Sequence, residues 1–185
     1  MFDWIKNINK PYPEFWTDYL SKFDEKSNRY IALSVETTGI DPKKDVVLSF
    51  GAVGINNDTI IVSDYFEVLI NQNNSEKSTS LSEAEAMEAF VNYIENATLV
   101  GHRIHFDVDI INEALDKIDC GRLKNEALDI EIMHKKLHEI SDKNYSLDEL
   151  ISHYKIPKSD RHSSGDNAFS IALMFLKLKS KLRLK

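Results

Sequence analysis

The sequence predicts an α/β domain, a mixed sheet flanked by helices, and three observations carry that prediction. Apolar runs at 30–35, 46–53 and 59–70 are separated by short turn signals, as in a three-stranded meander. From residue 82 onward, amphipathic stretches of helical period alternate with short apolar runs. Hydrophobic residues make up 42% and charged residues 29% of the 185-residue chain, ordinary for one well-packed globular domain.

Residues 1–28 read as a helical extension to a main domain of residues 29–180. Pro13 and Glu14 suit a first helical turn. Phe15, Trp16, Tyr19, Leu20 and Phe23 recur at one-face spacing, which predicts a helix packing an aromatic stripe on the main domain. The main domain opens with a strand at Tyr30–Val35 and a turn at Gly39-Ile40-Asp41-Pro42. A second strand follows at Val46–Val53, and Asn56-Asn57-Asp58 is a hairpin signal leading into a third at Thr59–Ile70. Asn71–Ser80 is a polar loop.

Ser82 with Glu85 forms a capping box, starting a helix with Ala86, Met87, Phe90, Val91 and Ile94 on one face. Thr98–Val100 reads as a short buried strand ended by Gly101-His102, and Phe106–Ile118 as a helix. A brief strand at Ala127-Leu128 leads to Asp129 and a helix bearing Ile130, Met133 and Leu137. Ser146 with Glu149 is a second capping box, before Leu147, Leu150, Ile151 and Tyr154. The last helix runs from about Gly165 to beyond Leu178, and residues 181–185 form a basic tail.

The net charge of −7 argues against strong non-specific binding to nucleic acid. It leaves room for an enzyme that meets phosphates through divalent cations. Lys177, Lys179, Lys181, Arg183 and Lys185 read as a solvated helix end suited to the C-terminal dipole, with a phosphate-contacting tail as the alternative. Cys120 is the single cysteine, so no intrachain disulfide forms and a reducing cytoplasm is expected. Met1-Phe2-Asp3-Trp4 opens no apolar stretch of signal-peptide length, and no run approaches the ~20 residues of a membrane span. The expectation is a soluble cytoplasmic protein with no membrane partner.

Glu36 is the most telling single residue, because a carboxylate among Ile31, Ala32, Leu33 and Val35 is expensive to bury unless a metal, a charge or hydrogen bonds compensate it. It belongs to Ser34-Val35-Glu36-Thr37-Thr38-Gly39. Two further segments follow it, Val100-Gly101-His102-Arg103-Ile104-His105-Phe106-Asp107 and Arg161-His162-Ser163-Ser164-Gly165-Asp166. In order and spacing this set resembles the DEDDh family of 3'-5' exonucleases, over roughly Tyr30 to Leu178.

The resemblance implies an RNase H-like fold and phosphodiester hydrolysis assisted by Mg2+ or Mn2+. Glu36, Asp107 and Asp166 would hold the metal, with Glu36 and His162 as the catalytic pair and His162 as general base. Thr37, Thr38, His102 and Phe106 would line the site for the terminal nucleotide. A nucleic acid with a free 3' end is the implied partner, with a polymerase or another protein as a second. The chemistry is coherent: two dications about 4 Å apart activate water and neutralise both oxygens of the displacement, hard cations take carboxylate oxygens, and an imidazole accepts the water's proton.

Bland alternatives stand beside these roles. Asp107 could serve only as a helix-start acid, Asp166 as part of a cap with Ser163 and Ser164, and His162 as a surface histidine. His134 and His138, four apart on a helix, are a potential metal pair without an evident third ligand, and His105 and His153 have no evident partners.

Three departures from the family pattern bear on turnover. Ser34 stands where the family has an Asp that bridges both metals. The interval from His162 to Asp166 is one residue short of the usual spacing. Asn71–Ser80 lacks the family's His-Gly-containing stretch. Weak or single-metal activity is therefore expected, with two alternatives. One is a degenerate member that binds nucleic-acid ends or a protein without turnover. The other is a structural subunit assembled through its aromatic helix and basic tail.

Overall fold

The computed structural model of the chain describes residues 11–71, 80–157 and 163–184. Five strands, β1 (Tyr30–Thr37), β2 (Val47–Asn56), β3 (Thr59–Leu69), β4 (Thr98–Gly101) and β5 (Ala127–Asp129), form one sheet in the order β3-β2-β1-β4-β5. β2 pairs antiparallel with β1 and β3, while β4 runs parallel to β1 and β5 parallel to β4. The helices are α1 (Glu14–Ser21), α2 (Glu83–Ile94), α3 (Ile104–Asp116), α4 (Ile130–His138), α5 (Leu147–Tyr154) and α6 (Ser164–Leu182). The predicted α/β architecture is the one observed.

The meander follows from local chemistry. Asn57 and Asp58 both adopt positive φ, 48° and 59°, between the opposed residues Asn56 and Thr59. That is a two-residue turn whose twist suits a hairpin, and Asn and Asp are the non-glycine residues that tolerate it. β1 runs two residues past its apolar stretch, because β2 continues to pair with it at Glu36↔Ser49 and Thr37↔Val47. The register slips between those pairs and leaves Leu48 as the extra residue of a bulge, a device that re-aims side chains at a strand end.

Strand alternation divides the core in two. Ile31, Leu33, Phe50 and Ala52 pack against Phe90, Val91 and Ile94 of α2 and Ile110, Ile111 and Leu115 of α3. Ala32, Val53, Ile55 and Val100 face Ile130 and Met133 of α4, Leu150 and Ile151 of α5, and Ile171, Phe175 and Leu178 of α6. α1 joins the first layer, with Trp16 and Tyr19 only 1% and 2% exposed. The Tyr19 hydroxyl donates to Asn125 Oδ1 at 2.8 Å and accepts the Lys124 N–H at 2.7 Å.

Both predicted capping boxes form, at Ser82 with Glu85 and at Ser146 with Glu149. α3 starts two residues before its predicted Phe106, because Asp129 from β5 accepts the Ile104 N–H across the sheet edge. α6 runs through Leu182, past the predicted start of the tail at 181. Its lysines are not simply solvated. Lys177 Nζ donates to Tyr154 O at 2.9 Å, and Lys179, its side chain 12% exposed, reaches Asp58 Oδ1 at 2.6 Å. Their stems lie along the domain while the ammonium groups find fixed acceptors, the usual compromise of a long cationic side chain. Among the described residues no helix is long and apolar enough to cross a membrane.

Candidate active site

β1, β4 and β5 run parallel, so their carboxyl ends share one edge of the sheet, where open α/β sheets form crevices. Glu36 sits near the end of β1, Asp107 in the first turn of the helix that leaves β4, and Asp166 in the first turn of α6. α6 reaches this place because Gly51 lets it. Gly51 opposes Ser34 in register, and a Cβ there would overlap the Ser164 backbone. Two further contacts fix the helix start: Gly165 N–H donates to Glu67 Oε1 at 3.0 Å, and Asp166 N–H to Ser163 Oγ at 3.2 Å. Ser49, fully buried, donates to Glu36 Oε2 at 2.9 Å and lies 3.1 Å from Ser164 Oγ. Glu36 and the start of α6 are thereby held as one block.

The charges at this edge are unbalanced. Asp166 Oδ2 is buried and has no hydrogen-bond partner among the described residues. Asp107 is only 8% exposed, and burial, reinforced by the neighbouring Asp129 charge, pushes its carboxyl well above the usual carboxylate range. Asp129 itself is fully committed to backbone donors: Oδ1 accepts from Glu131 and Ile132 at 2.8 and 3.3 Å, and Oδ2 from Ile104 at 3.1 Å. A buried oxygen without a partner among the described residues and an acid strained by desolvation are what a hard, oxygen-seeking dication would satisfy, so the donor chemistry suits a hard divalent cation. Yet Glu36, Asp107 and Asp166 do not form a set of ligand atoms all within 4.8 Å of one another. Repulsion among uncompensated carboxylates opposes such closure.

Glu36 turns out not to be the most costly acid. Because β1 extends to Thr37, Glu36 reaches the half-buried rim, where the Ser49 hydroxyl serves it. That burden falls on Asp107. The other predicted residues are tied into their surroundings. Thr37 donates to Gly39 O at 2.7 Å, while Thr38 donates to Asp45 Oδ1 at 2.8 Å and accepts the Val46 N–H at 3.1 Å, so both hydroxyls brace the loop after β1. Phe106 is half-buried against the α2–α3 layer. His102 Nε2 lies 2.7 Å from Tyr145 O and 3.7 Å from Glu131 Oε2. His162 lies outside the described residues, as does most of the predicted Asn71–Ser80 loop.

Sequence reading missed several residues of this edge. Glu131 receives Tyr145 N–H at 2.9 Å, Lys135 at 3.0 Å and Arg103 at 3.2 Å. Burial raises its carboxyl, but these donors outweigh burial and hold it down at about 2. Glu67 is similar: burial opposes, and hydrogen bonds from Tyr65, Ser163 and Gly165 prevail, leaving it below the usual range. Asp129 did have a signal, an Asp directly before an apolar helical run. Ser49 and Glu67 had none, since their partners are 115 and 98 residues away.

One histidine is corrected outright. His153 is not without partners: its ring lies 5.0 Å from that of His134 and 5.3 Å from that of His138, because α5 packs on α4. Burial, together with these two neighbours, pushes His134 down to about 4. His105 is exposed at the start of α3.

A family model described as Exonuclease (RNase T) matches residues 31–175. The chain is 27% identical over 168 residues to a PolC-type DNA polymerase III of Caldanaerobacter subterraneus, covering 83% of this chain and 12% of that protein. It is 30% identical over 171 residues to the 3'-5' exonuclease DinG of Bacillus subtilis, covering 84% and 18%. The chain thus spans less than a fifth of the length of these relatives. Among solved structures, E. coli exonuclease I in complex with a dT13 oligonucleotide superposes with a TM-score of 0.68 at 12% identity, over 85% of this chain and 42% of that one. The zinc ion bound form of an E. coli ExoI–ssDNA complex gives 0.70 at 12% identity, over 83% and 41%. At such identities the likeness speaks for the fold, which is RNase H-like.

Proposed function

Because this chain belongs to the exonuclease (RNase T) family, we propose that it is a divalent-metal-dependent 3'-5' exonuclease whose turnover is held down by Ser34. One observation carries the metal reading: Asp166 Oδ2 is buried at the shared edge with no hydrogen-bond partner among the described residues. Glu36, Asp107 and Asp166 would hold Mg2+ or Mn2+, which when bound neutralises charge on the oxygens of the scissile phosphate. His162 takes the proton of the attacking water. Ser49 orients the Glu36 carboxylate through its hydrogen bond. Thr37, Thr38, His102 and Phe106 border the terminal nucleotide, with the two threonines acting through the loop they brace. Ser34, opposite Gly51, contributes a neutral hydroxyl where the family pattern has a charge, which weakens metal binding at the point where α6 docks.

The substrate is a nucleic acid with a free 3' end. DNA is favoured by the similarity to DNA polymerase III of the PolC type and to exonuclease I bound to an oligonucleotide. The same PolC similarity supports a polymerase as a protein partner, and the cytoplasm suits such a role. A second reading, a degenerate member that binds ends without turnover, is favoured by Ser34 and by the open spacing of the three acids.

Labelled single-stranded DNA and RNA incubated with Mg2+ or Mn2+ separate the two readings. Cleavage from the 3' end by the unaltered chain, lost in Glu36→Ala and raised at least ~10-fold in Ser34→Asp, is expected. No cleavage by the unaltered chain, with activity appearing in Ser34→Asp, would establish the degenerate reading instead.

A further inference from the structure

α4 and α5 build a second cluster of ligating groups that the nuclease chemistry does not use. Among the described residues, His134, His138 and His153 alone offer three ligand atoms all within 4.8 Å of one another. The spacing has a simple origin. His134 and His138 are four apart on α4, so they share a helix face, and their rings lie 4.7 Å apart. His153 arrives from α5, whose Leu150, Ile151 and Tyr154 pack in one cluster with Ile130 and Met133 of α4.

The surroundings resemble those of a ligand set. His134 is 1% exposed, whereas His138 and His153 are open to solvent, so the group has a closed floor and an open mouth. Tyr154 Oη lies 2.7 Å from His134 Nδ1 and 3.5 Å from His138 Nε2, and Tyr145 sets its ring edge-on to His134 at 4.6 Å. A hydroxyl held on Nδ1 fixes the ring and leaves Nε2 as the other nitrogen, the outer-shell arrangement that metal-binding imidazoles use.

Donor chemistry selects the ion. Three neutral nitrogens with no carboxylate suit a borderline transition metal, and three protein ligands with one solvent position is a familiar zinc arrangement. Mg2+ and Ca2+ require oxygen. We propose that His134, His138 and His153 form a site for a Zn2+-class dication, separate in ligand chemistry from the carboxylate edge, that clamps α4 to α5. Its fourth ligand is water entering past His138 and His153. The clamp also fixes the 139–146 connection, which carries Tyr145, the residue whose carbonyl lies 2.7 Å from His102.

The test is calorimetric titration of Zn2+ into the metal-stripped full chain at neutral pH, with excess Mg2+ present to compete at the carboxylates. Three versions are compared: unaltered, His138→Ala with His153→Ala, and Glu36→Ala with Asp107→Ala. One equivalent is expected to bind the unaltered and the carboxylate-altered chains alike, and affinity should fall by more than ~10–100-fold in the histidine pair variant. Both histidines are exposed, so that variant should keep the unaltered melting temperature in metal-free buffer. Single His153→Gln gives the same reading should the pair variant not fold. Zn2+ should raise the melting temperature of the unaltered chain alone of these histidine versions. Absence of binding, or binding that survives loss of the histidines and vanishes with the carboxylates, overturns the proposal.

Discussion

Ser49 on β2 and Ser164 at the start of α6 are 115 residues apart in sequence and 3.1 Å apart through their hydroxyl oxygens, and Ser49 also holds Glu36. Ser49→Ala should therefore act at two places. It frees Glu36 to rotate and leaves the buried Ser164 hydroxyl without this partner, a loss of about 1–3 kcal/mol of stability. Urea unfolding measures the stability, and nuclease turnover at saturating metal should drop in parallel. Retention of full turnover would separate Glu36 orientation from catalysis.

Gly51→Ala places a methyl group into the Ser164 backbone. Overpacking of this kind costs about 1–3 kcal/mol or displaces the intruding element. Because the element is the one that carries Asp166, activity should fall further than the stability loss alone accounts for. Chemical denaturation together with metal titration reads both effects.

Asp107→Asn should stabilise the metal-free protein while abolishing metal-dependent activity. Burial and Asp129 hold the Asp107 carboxyl well above its usual range, so its ionised form works against the fold at neutral pH. A neutral amide removes that penalty. A higher melting temperature in chelator, with activity lost in metal, is the expected pair of results. A lower melting temperature in chelator would count against the strain assigned to Asp107.

Glu131 sets a pH dependence of the opposite sign. Its carboxyl is held at about 2 in the fold against an ordinary value of 4.5. A depressed acid contributes stability that is present above the unfolded value and lost as pH falls towards the folded one. Glu131→Gln should lower stability at neutral pH by up to about 3 kcal/mol. The gap between the two proteins should narrow as pH drops from about 4.5 to about 2. Urea midpoints across that window provide the check.

What could be read from the chain were the features settled within a few residues of one another. The Ser82–Glu85 and Ser146–Glu149 boxes and the Asn57-Asp58 turn are of this kind, and they appear where expected. The aromatic stripe of α1 was legible because its period marks a face and Trp16 and Tyr19 fill it. The rest depended on partners distant in sequence. β1 ends at Thr37 rather than Val35 because β2 continues to pair, and α3 starts at Ile104 because Asp129 caps it from another strand. The burial of Asp107 and the arrival of His153 beside His134 follow from how helices dock, which no local pattern encodes.

The family match begins at residue 31, yet the Tyr19 hydroxyl lies between the Lys124 N–H and the Asn125 side chain, and Trp16 fills the same layer. The span matched by the family model and the packed unit are therefore different objects. A fragment cut at Tyr30 on the strength of the match would expose a slot shaped for two aromatic rings and unpin the 124–125 backbone. Any excised or transplanted copy of this domain has to begin ahead of Pro13.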